Sequence, residues 1–581
     1  MAAVIVRAIS FILPLFAYIV LIRTVRSMFN GKSQTEIWGY IQTDDKVLRI
    51  THWENIIGRT RSADIHLSDS RVSRVHAVLI RSAKGRWRIF DIFSKGGVRV
   101  NGQSVGISGY SLCDGDVINL SEISVRFREI NEKQRSEIEA RRVVTWKNVH
   151  PAITLLYLSV FQVFLLLEHC FSATAETLPG IALGFALLIL LEWFCYFAMR
   201  SLRRTGFEVE TIAFFLSSIG LSVIATSVPS EMFRQMIIVF AGVVAFFLLG
   251  AWLRDLDRTK TMRLPAAIGA VALLALVLVI GQVQNGAKNW IYIGSLSIQP
   301  SEFVKVAYIY VGAATLDRLF STKNLIVFIG FSAVCVMALA LMSDFGTALI
   351  FFVTFLVISF MRSGSIATVA LAVTGAGMAG FLMLRMKAHV ARRFASWGHV
   401  WEDVYDTGYQ QTHALSAGAS GGLFGKGAGS GWLKDIFAAN TDMVFAVICE
   451  EQGLIIAICM VLAVLTLAFF AVRSARHGRS AYYSIAACAA MSMLMVQMGL
   501  NVFGSLDILP FTGVTFPFVS RGGSSLLSCW MLLAFVKGAD TRRDASFVVR
   551  PVRKIEEYHV GYDAETDDDD YGDDGTEEDG P

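Results

Sequence analysis

At 581 residues, 54% hydrophobic and only 17% charged, with a mean hydropathy of +0.53, the chain is too apolar for a soluble enzyme. Its net charge of +4 excludes little, because basic short loops and an acidic tail nearly cancel. Repeated apolar runs of about 18 or more residues point to a polytopic α-helical membrane protein rather than a nucleic-acid binder. The eight cysteines lack the paired spacing of a disulfide framework and are expected to be reduced.

In chain order, residues 1–30 hold a long apolar run with Arg23 and Arg26 near its end and no small-residue cleavage site, which predicts a retained anchor. Residues 35–130 are polar, and segments such as "WRIFDIF", "VRVNG" and "ISVRFRE" lie between Gly, Asp and Asn turns, the pattern of a small all-β domain. A charged linker, 131–150, follows. Apolar spans are then expected near 151–168, 181–199, 211–228, 233–252, 265–283, 300–316, 325–342, 345–361, 366–386, 443–472, 483–504 and 523–537. Lys and Arg in the short loops ("MRSLRR", "RDLDRTKTMR", "RSARHGR") assign the β domain and the tail to the cytoplasmic face, with the N-terminus outside. The tail, 541–581, is acidic, nearly free of apolar side chains and expected to be disordered.

On that topology the 387–442 loop lies outside yet carries Lys387, Arg392, Arg393, Lys426 and Lys434, candidates for holding an anionic ligand. Val390, Phe394, Trp397 and Trp401 recur at helical spacing, which predicts an interfacial amphipathic helix there.

The β region contains "IIGRTRSADIHLSDSRVSRVHAVLI", "DIFSKGGVRVNG" and "LCDGDVINL", and resembles the forkhead-associated (FHA) domain, a β-sandwich that binds phosphothreonine peptides. The guanidinium of Arg59 and the hydroxyl of Ser73 can clasp a phosphate, with Arg74 adding charge. The resemblance makes His76 a bracing residue. Gly96 stands where the family carries an Asn that fixes the peptide backbone.

Ionisable residues inside or at the edge of membrane helices are costly and therefore candidates for function. Five clusters stand out. "NGAKNWIYIGSLSIQPSEFVK" has Glu302 and Lys305 on one helix face; a pair that ties helices together and a pair that shapes a cavity are both open. In "SDFGTA", Asp344 fits either a helix N-cap or a site residue. "GYQQTHALSAGASGGLFGKGAGSG" places Lys426 between glycines, whose backbone can approach a phosphate. "NTDMVFAVICEEQG" puts Asp442, Glu450 and Glu451 at the head of an apolar run. "LPFTGVTFPFVSRGGSSLL" is a proline-bent loop that includes Ser524.

Together, in this order, the five resemble the SEDS family of peptidoglycan glycosyltransferases, the FtsW/RodA type, over roughly Thr211 to Lys537. The resemblance implies a core of about ten spans, 207–540, preceded by about three extra N-terminal ones: the anchor and two helices within 151–206. It implies polymerisation of lipid II at the outer leaflet of a bacterial cytoplasmic membrane, with Asp442 as the base that takes the acceptor hydroxyl proton. Arg392, Arg393 and Lys426 would steady the leaving diphosphate, and Trp290, Gln299, Glu302 and Lys305 match the family's W…QPSE..K motif. Asp344, Glu450 and Ser524 are also expected at the substrate, although adjacency alone leaves open whether Glu450 or Glu451 lines the cavity. The residues specify no cofactor, and a divalent cation, Mg or Mn, bridging Asp442 and the diphosphate stays open.

Departures from the family pattern are Asn440 for His, Asn289 for Arg (with Lys288 beside it) and Arg521 for Tyr. Expected partners are lipid II, membrane lipids, a class B penicillin-binding protein and a phosphothreonine protein, with Thr566 and Thr576 as acceptors in the chain's own tail. A lipid II flippase and a non-catalytic scaffold are the rival readings.

Overall fold

The computed structural model describes residues 2–29, 36–61, 63–82, 84–106, 108–141, 149–284, 286–294, 296–316, 322–386, 391 and 394–549. Helix α1 (Ala2–Phe29) leads into a sandwich of eleven strands. These are β1 (Gly39–Gln42), β2 (Val47–Ile50), β3 (Glu54–Gly58), β4 (Ile65–His66), β5 (Ala77–Arg81), β6 (Trp87–Asp91), β7 (Val98–Val100), β8 (Gln103–Ser104), β9 (Tyr110–Leu112), β10 (Val117–Leu120) and β11 (Ile123–Glu129). One sheet runs β2-β1-β11-β10-β7-β8 and the other β4-β3-β5-β6-β9. Period-two alternation turns Ile41, Leu79, Ile89, Val100, Ile118 and Phe127 inward, where all are fully buried.

The charged linker forms helix α2 (Glu132–Arg141). The bundle then comprises α3 (Pro151–Ser172), α4 (Leu178–Ser201), α5 (Glu208–Ser227), α6 (Met232–Trp252), the short α7 (Leu256–Thr261) and α8 (Arg263–Ile280). A hairpin sheet of β12 (Gln282–Gln284), β13 (Ala287–Ile293) and β14 (Leu296–Ile298) precedes α9 (Pro300–Leu316), α10 (Thr322–Leu341), α11 (Phe345–Ser363) and α12 (Ile366–Met386). After α13 (Tyr409–Gly421) come the one-turn α14 (Ala439–Asp442), α15 (Val444–Glu451), α16 (Leu454–Arg476), α17 (Ala481–Ser505) and α18 (Gly523–Ala539). Among the described residues ten helices are long and apolar enough to cross a membrane. Helix α5 is buried along nearly its whole length, so it is the bundle's centre rather than a lipid-facing span.

Three expectations need correction. The 443–472 run is not one helix: Gly453, at φ +91°, breaks it into α15 and α16. Of the expected interfacial helix, residues 394–396 are helical, whereas Trp397 and Trp401 lie in turns, and the Trp397 indole donates to the Ile508 carbonyl at 3.1 Å. Val390 lies outside the described residues. The tail boundary is also later than composition suggests, because 541–549 pack onto the bundle. Arg542 bonds Glu208 and Asp540 at 3.0 and 2.6 Å, Phe547 is buried against Phe246 and Phe247, and Arg204 donates to the Ser546 and Val549 carbonyls. Thr566 and Thr576 lie outside the described residues.

The sandwich is docked on this same end. Arg479, in the turn between α16 and α17, is 2% exposed and makes a two-pronged pair with Glu36 at 2.9 and 3.0 Å. The Trp53 amide donates to the Arg479 carbonyl at 2.6 Å, and Glu54 accepts from Ser480 and the Ala481 amide. Helices α16 and α17, 23 and 25 residues long, separate this end from the opposite one by about 35 Å.

Candidate active site

At the opposite end, Ala438 (φ +61°) turns the chain into α14, whose last residue is Asp442. Polar groups from four directions fix this turn. The Asn440 side chain donates to Ser227 at 3.2 Å, the Arg521 amide to the Asn440 carbonyl at 2.8 Å, and the Ser520 hydroxyl to the Thr441 carbonyl at 2.5 Å. The Asn501 amide, 1% exposed, bridges the carbonyls of Asp442 (3.0 Å) and Val514 (2.8 Å). Asp442 itself is half-buried, and its carboxyl faces Gly513, where a Cβ would lie 3.2 Å from Oδ2. A carboxylate held this way is rigid in its backbone yet reachable, which suits a proton acceptor.

The segment carrying Gly513 and Val514 also lies against Gly346, next to the second cluster. Asp344 caps α11: Oδ1 accepts from the Thr347 amide at 3.1 Å, while Oδ2 accepts from Asn289 at 2.9 Å and Gln299 at 3.4 Å. The Gln299 backbone amide donates to the buried Ser524 hydroxyl at 3.1 Å, and Trp290 is half-buried on β13. Asp442 and the Asp344–Gln299–Asn289 group therefore flank one strip of chain. Lys288 does not stand in for a site cation: its ammonium caps α8 through the Leu278 and Val279 carbonyls at 2.6 and 3.3 Å.

Glu302 and Lys305 resolve as a helix tie. Both are buried, 2.7 Å apart, with Ser528 of α18 donating to Glu302 at 2.7 Å and Lys305 reaching Gln497 of α17 at 3.1 Å. Glu450 stands at the other end of α15 from Asp442. Fully buried, it accepts from the Trp432 and Leu433 amides at 3.2 and 3.0 Å and pairs with Lys426 at 3.0 Å. Glu451 faces the Gly429 amide. The two carboxylates are staples of the glycine-rich loop. The glycines serve close approach to α15, since a Cβ on Gly425 (φ +78°) would run into the Glu451 carbonyl oxygen. Lys426 sits at the far end of α15 from Asp442, about 12 Å along the axis. Arg392 and Arg393 lie outside the described residues. Arg521 lies beside Asn440 but is paired with Glu231 at 2.6 Å.

Among the described residues no three His, Cys, Asp or Glu side chains converge as a metal site.

Asn501 and the loop-stapling role of Glu450 are not evident in the motifs. An Asn inside the apolar run "MGLNVF" was the available signal for Asn501.

In the sandwich, the Arg59 and Thr60 amides donate to the Ser73 and Arg74 carbonyls at 3.0 Å, which brings the three candidate residues Arg59, Ser73 and Arg74 together. The Lys95 amide adds a donor at the Ser73 hydroxyl, 3.1 Å away. His76, fully buried, accepts from the Ser73 amide at 3.1 Å and meets the Gly97 carbonyl at 3.0 Å, the expected brace. Arg71 is committed elsewhere: its pairing with Asp69 at 2.8 Å holds that carboxyl down to about 2. A side chain at Gly96 would run into Ser121.

Residues 201–544 match the family model for FtsW/RodA/SpoVE cell cycle proteins, and residues 55–121 match the FHA domain model. Stage V sporulation protein E of Bacillus subtilis is 33% identical over 309 residues, 50% of this chain and 82% of the relative. The peptidoglycan glycosyltransferase RodA of Mycobacterium tuberculosis is 28% identical over 322 residues, 52% of this chain and 69% of that protein. The crystal structure of Thermus thermophilus RodA, 23% identical, covers 57% of this chain and 95% of its own with a TM-score of 0.43. With a family match over more than half its length, the chain belongs to the FtsW/RodA/SpoVE family and carries an FHA domain ahead of the family module.

Proposed function

We propose that this protein polymerises lipid II into glycan strands at the outer face of a bacterial cytoplasmic membrane, with the FHA domain and tail on the cytoplasmic side. The observation that carries the reading is Asp442: a half-buried carboxylate on a turn tied by Asn501, Ser520, Asn440 and Arg521. The Mycobacterium tuberculosis relative's name, peptidoglycan glycosyltransferase, supports it.

In the proposed step the acceptor's 4-hydroxyl oxygen bonds to the donor's anomeric carbon as the bond from that carbon to the diphosphate oxygen breaks, with inversion. Asp442 takes the hydroxyl proton, and the electron pair leaves with undecaprenyl pyrophosphate. Arg392 and Arg393 are the proposed cations for the diphosphate, since Lys426 shares its charge with Glu450. Trp290, Gln299, Asp344 and Ser524 form the proposed substrate-facing wall. Glu302 and Lys305 support that wall from behind. A class B penicillin-binding protein is the proposed transpeptidase partner, and a threonine-phosphorylated protein the ligand of Arg59, Ser73 and Arg74.

The test is glycan-strand synthesis from purified lipid II, with and without the transpeptidase. Asp442→Asn is expected to lower the rate by about 10²–10⁴-fold with unchanged folding. Full synthesis by that variant would overturn the reading.

A further inference from the structure

Helices α1 and α3 lie outside the family module, yet both reach its glycine-rich loop. From α1, the Arg7 guanidinium donates to the Gly425 carbonyl at 3.2 Å, and the Phe11 ring lies 4.4 Å from that of Phe424. Val6 covers Gly427, where a Cβ would come within 2.6 Å of its Cγ1. From α3, Glu168 is 1% exposed and accepts from the Ser10 hydroxyl of α1 at 2.9 Å. Its carboxyl is turned toward the Ala428 amide, while Oε2 makes no close hydrogen bond. Ser172, one turn further along α3, fills the space beside Gly429.

A carboxylate buried in an apolar bundle costs free energy unless its surroundings offset it, so its location calls for a role. The loop is gripped on its other side by Glu450 and Glu451. It is thus held between carboxylates of the module and side chains of the added helices.

We propose that Glu168 and Arg7 are positioning residues for the glycosyl-transfer site. With Ser10 they hold the 424–429 strip against α15, and so fix Lys426 and the Glu450 end of that helix. What the loop serves rests on the polymerase reading; that these residues hold it does not. A displacement of about 1 Å at a site can cost as much as 10²-fold in rate.

Hydrogen–deuterium exchange on the full-length protein in lipid nanodiscs reads the loop directly. Arg7→Ala, which removes the bond to the Gly425 carbonyl, is expected to speed exchange of the 425–433 amides by about five- to tenfold, the scale of one hydrogen bond lost, and Glu168→Ala, which releases Ser10 and the carboxyl beside Ala428, by about half of that effect. Amides of α17 should not change. Glu168→Gln, which keeps an acceptor for Ser10, should restore protection. In lipid II polymerisation Glu168→Ala should lower kcat with KM little changed, and Glu168→Gln should recover it. Loop exchange unchanged in both alanine variants overturns the proposal. If Glu168→Ala does not fold, Arg7→Ala, altering an exposed side chain, decides alone. Because exchange needs no turnover, an inactive wild type would sink the polymerase reading while the loop test still gives its answer.

Discussion

Asn501 holds the Asp442 turn with one side-chain amide spread over two backbone carbonyls. Removing it leaves buried acceptors unpaired, so Asn501→Ala should cost about 1–3 kcal/mol in a thermal or denaturant unfolding assay and lower polymerisation, and Asn501→Asp, which sets an acceptor against the same two carbonyls, should do at least as much harm. Gly96 makes an opposite kind of prediction. Restoring the family's Asn there should not restore peptide grip, because the new side chain collides with Ser121. Gly96→Asn should lower the unfolding temperature of the β domain, and Gly96→Asn with Ser121→Gly should recover it. At this scale the sequence was legible where chemistry is local. Asp442 and Asp344 declare themselves as charges beside apolar runs, and His76 by its motif. Glu450 could not be read, because its partners Lys426, Trp432 and Leu433 lie 17 to 24 residues away on a loop whose path only the fold defines.

Among elements, the break at Gly453 has the largest effect on the site. It lets α15 run separately from α16, so the carboxylates at 450 and 451 meet a polar loop instead of lipid. Apolar periodicity is blind to such a break, since both pieces are oily; the glycine in "EEQGLII" was the only mark. The Glu302–Lys305 tie gives an element-level test. Deleting one partner, as in Lys305→Met, should destabilise by about 3–5 kcal/mol, whereas Glu302→Leu with Lys305→Met should be near neutral. Unfolding in detergent micelles measures both, and equal losses for single and double variants would contradict the tie. Most helix positions were legible from hydropathy, the broken 443–472 run excepted, but the central burial of α5 was not, because its composition matches that of lipid-facing neighbours.

For the whole molecule, the β domain is bolted to the α16–α17 turn through Arg479, whose guanidinium also donates to the Gly538 and Asp540 carbonyls at 3.2 and 2.9 Å. Arg479→Ala would remove the two-pronged pair with Glu36 and the donors to those carbonyls, so protease cleavage between the β domain and the bundle should accelerate markedly relative to the wild type. The packing of residues 540–549 makes where the chain is shortened matter. Trimming to Val549 discards only the acid-rich remainder. Trimming to Ala539 withdraws Phe547 from its aromatic slot and deprives Glu208 of Arg542, so only the longer product should survive purification as a monodisperse particle.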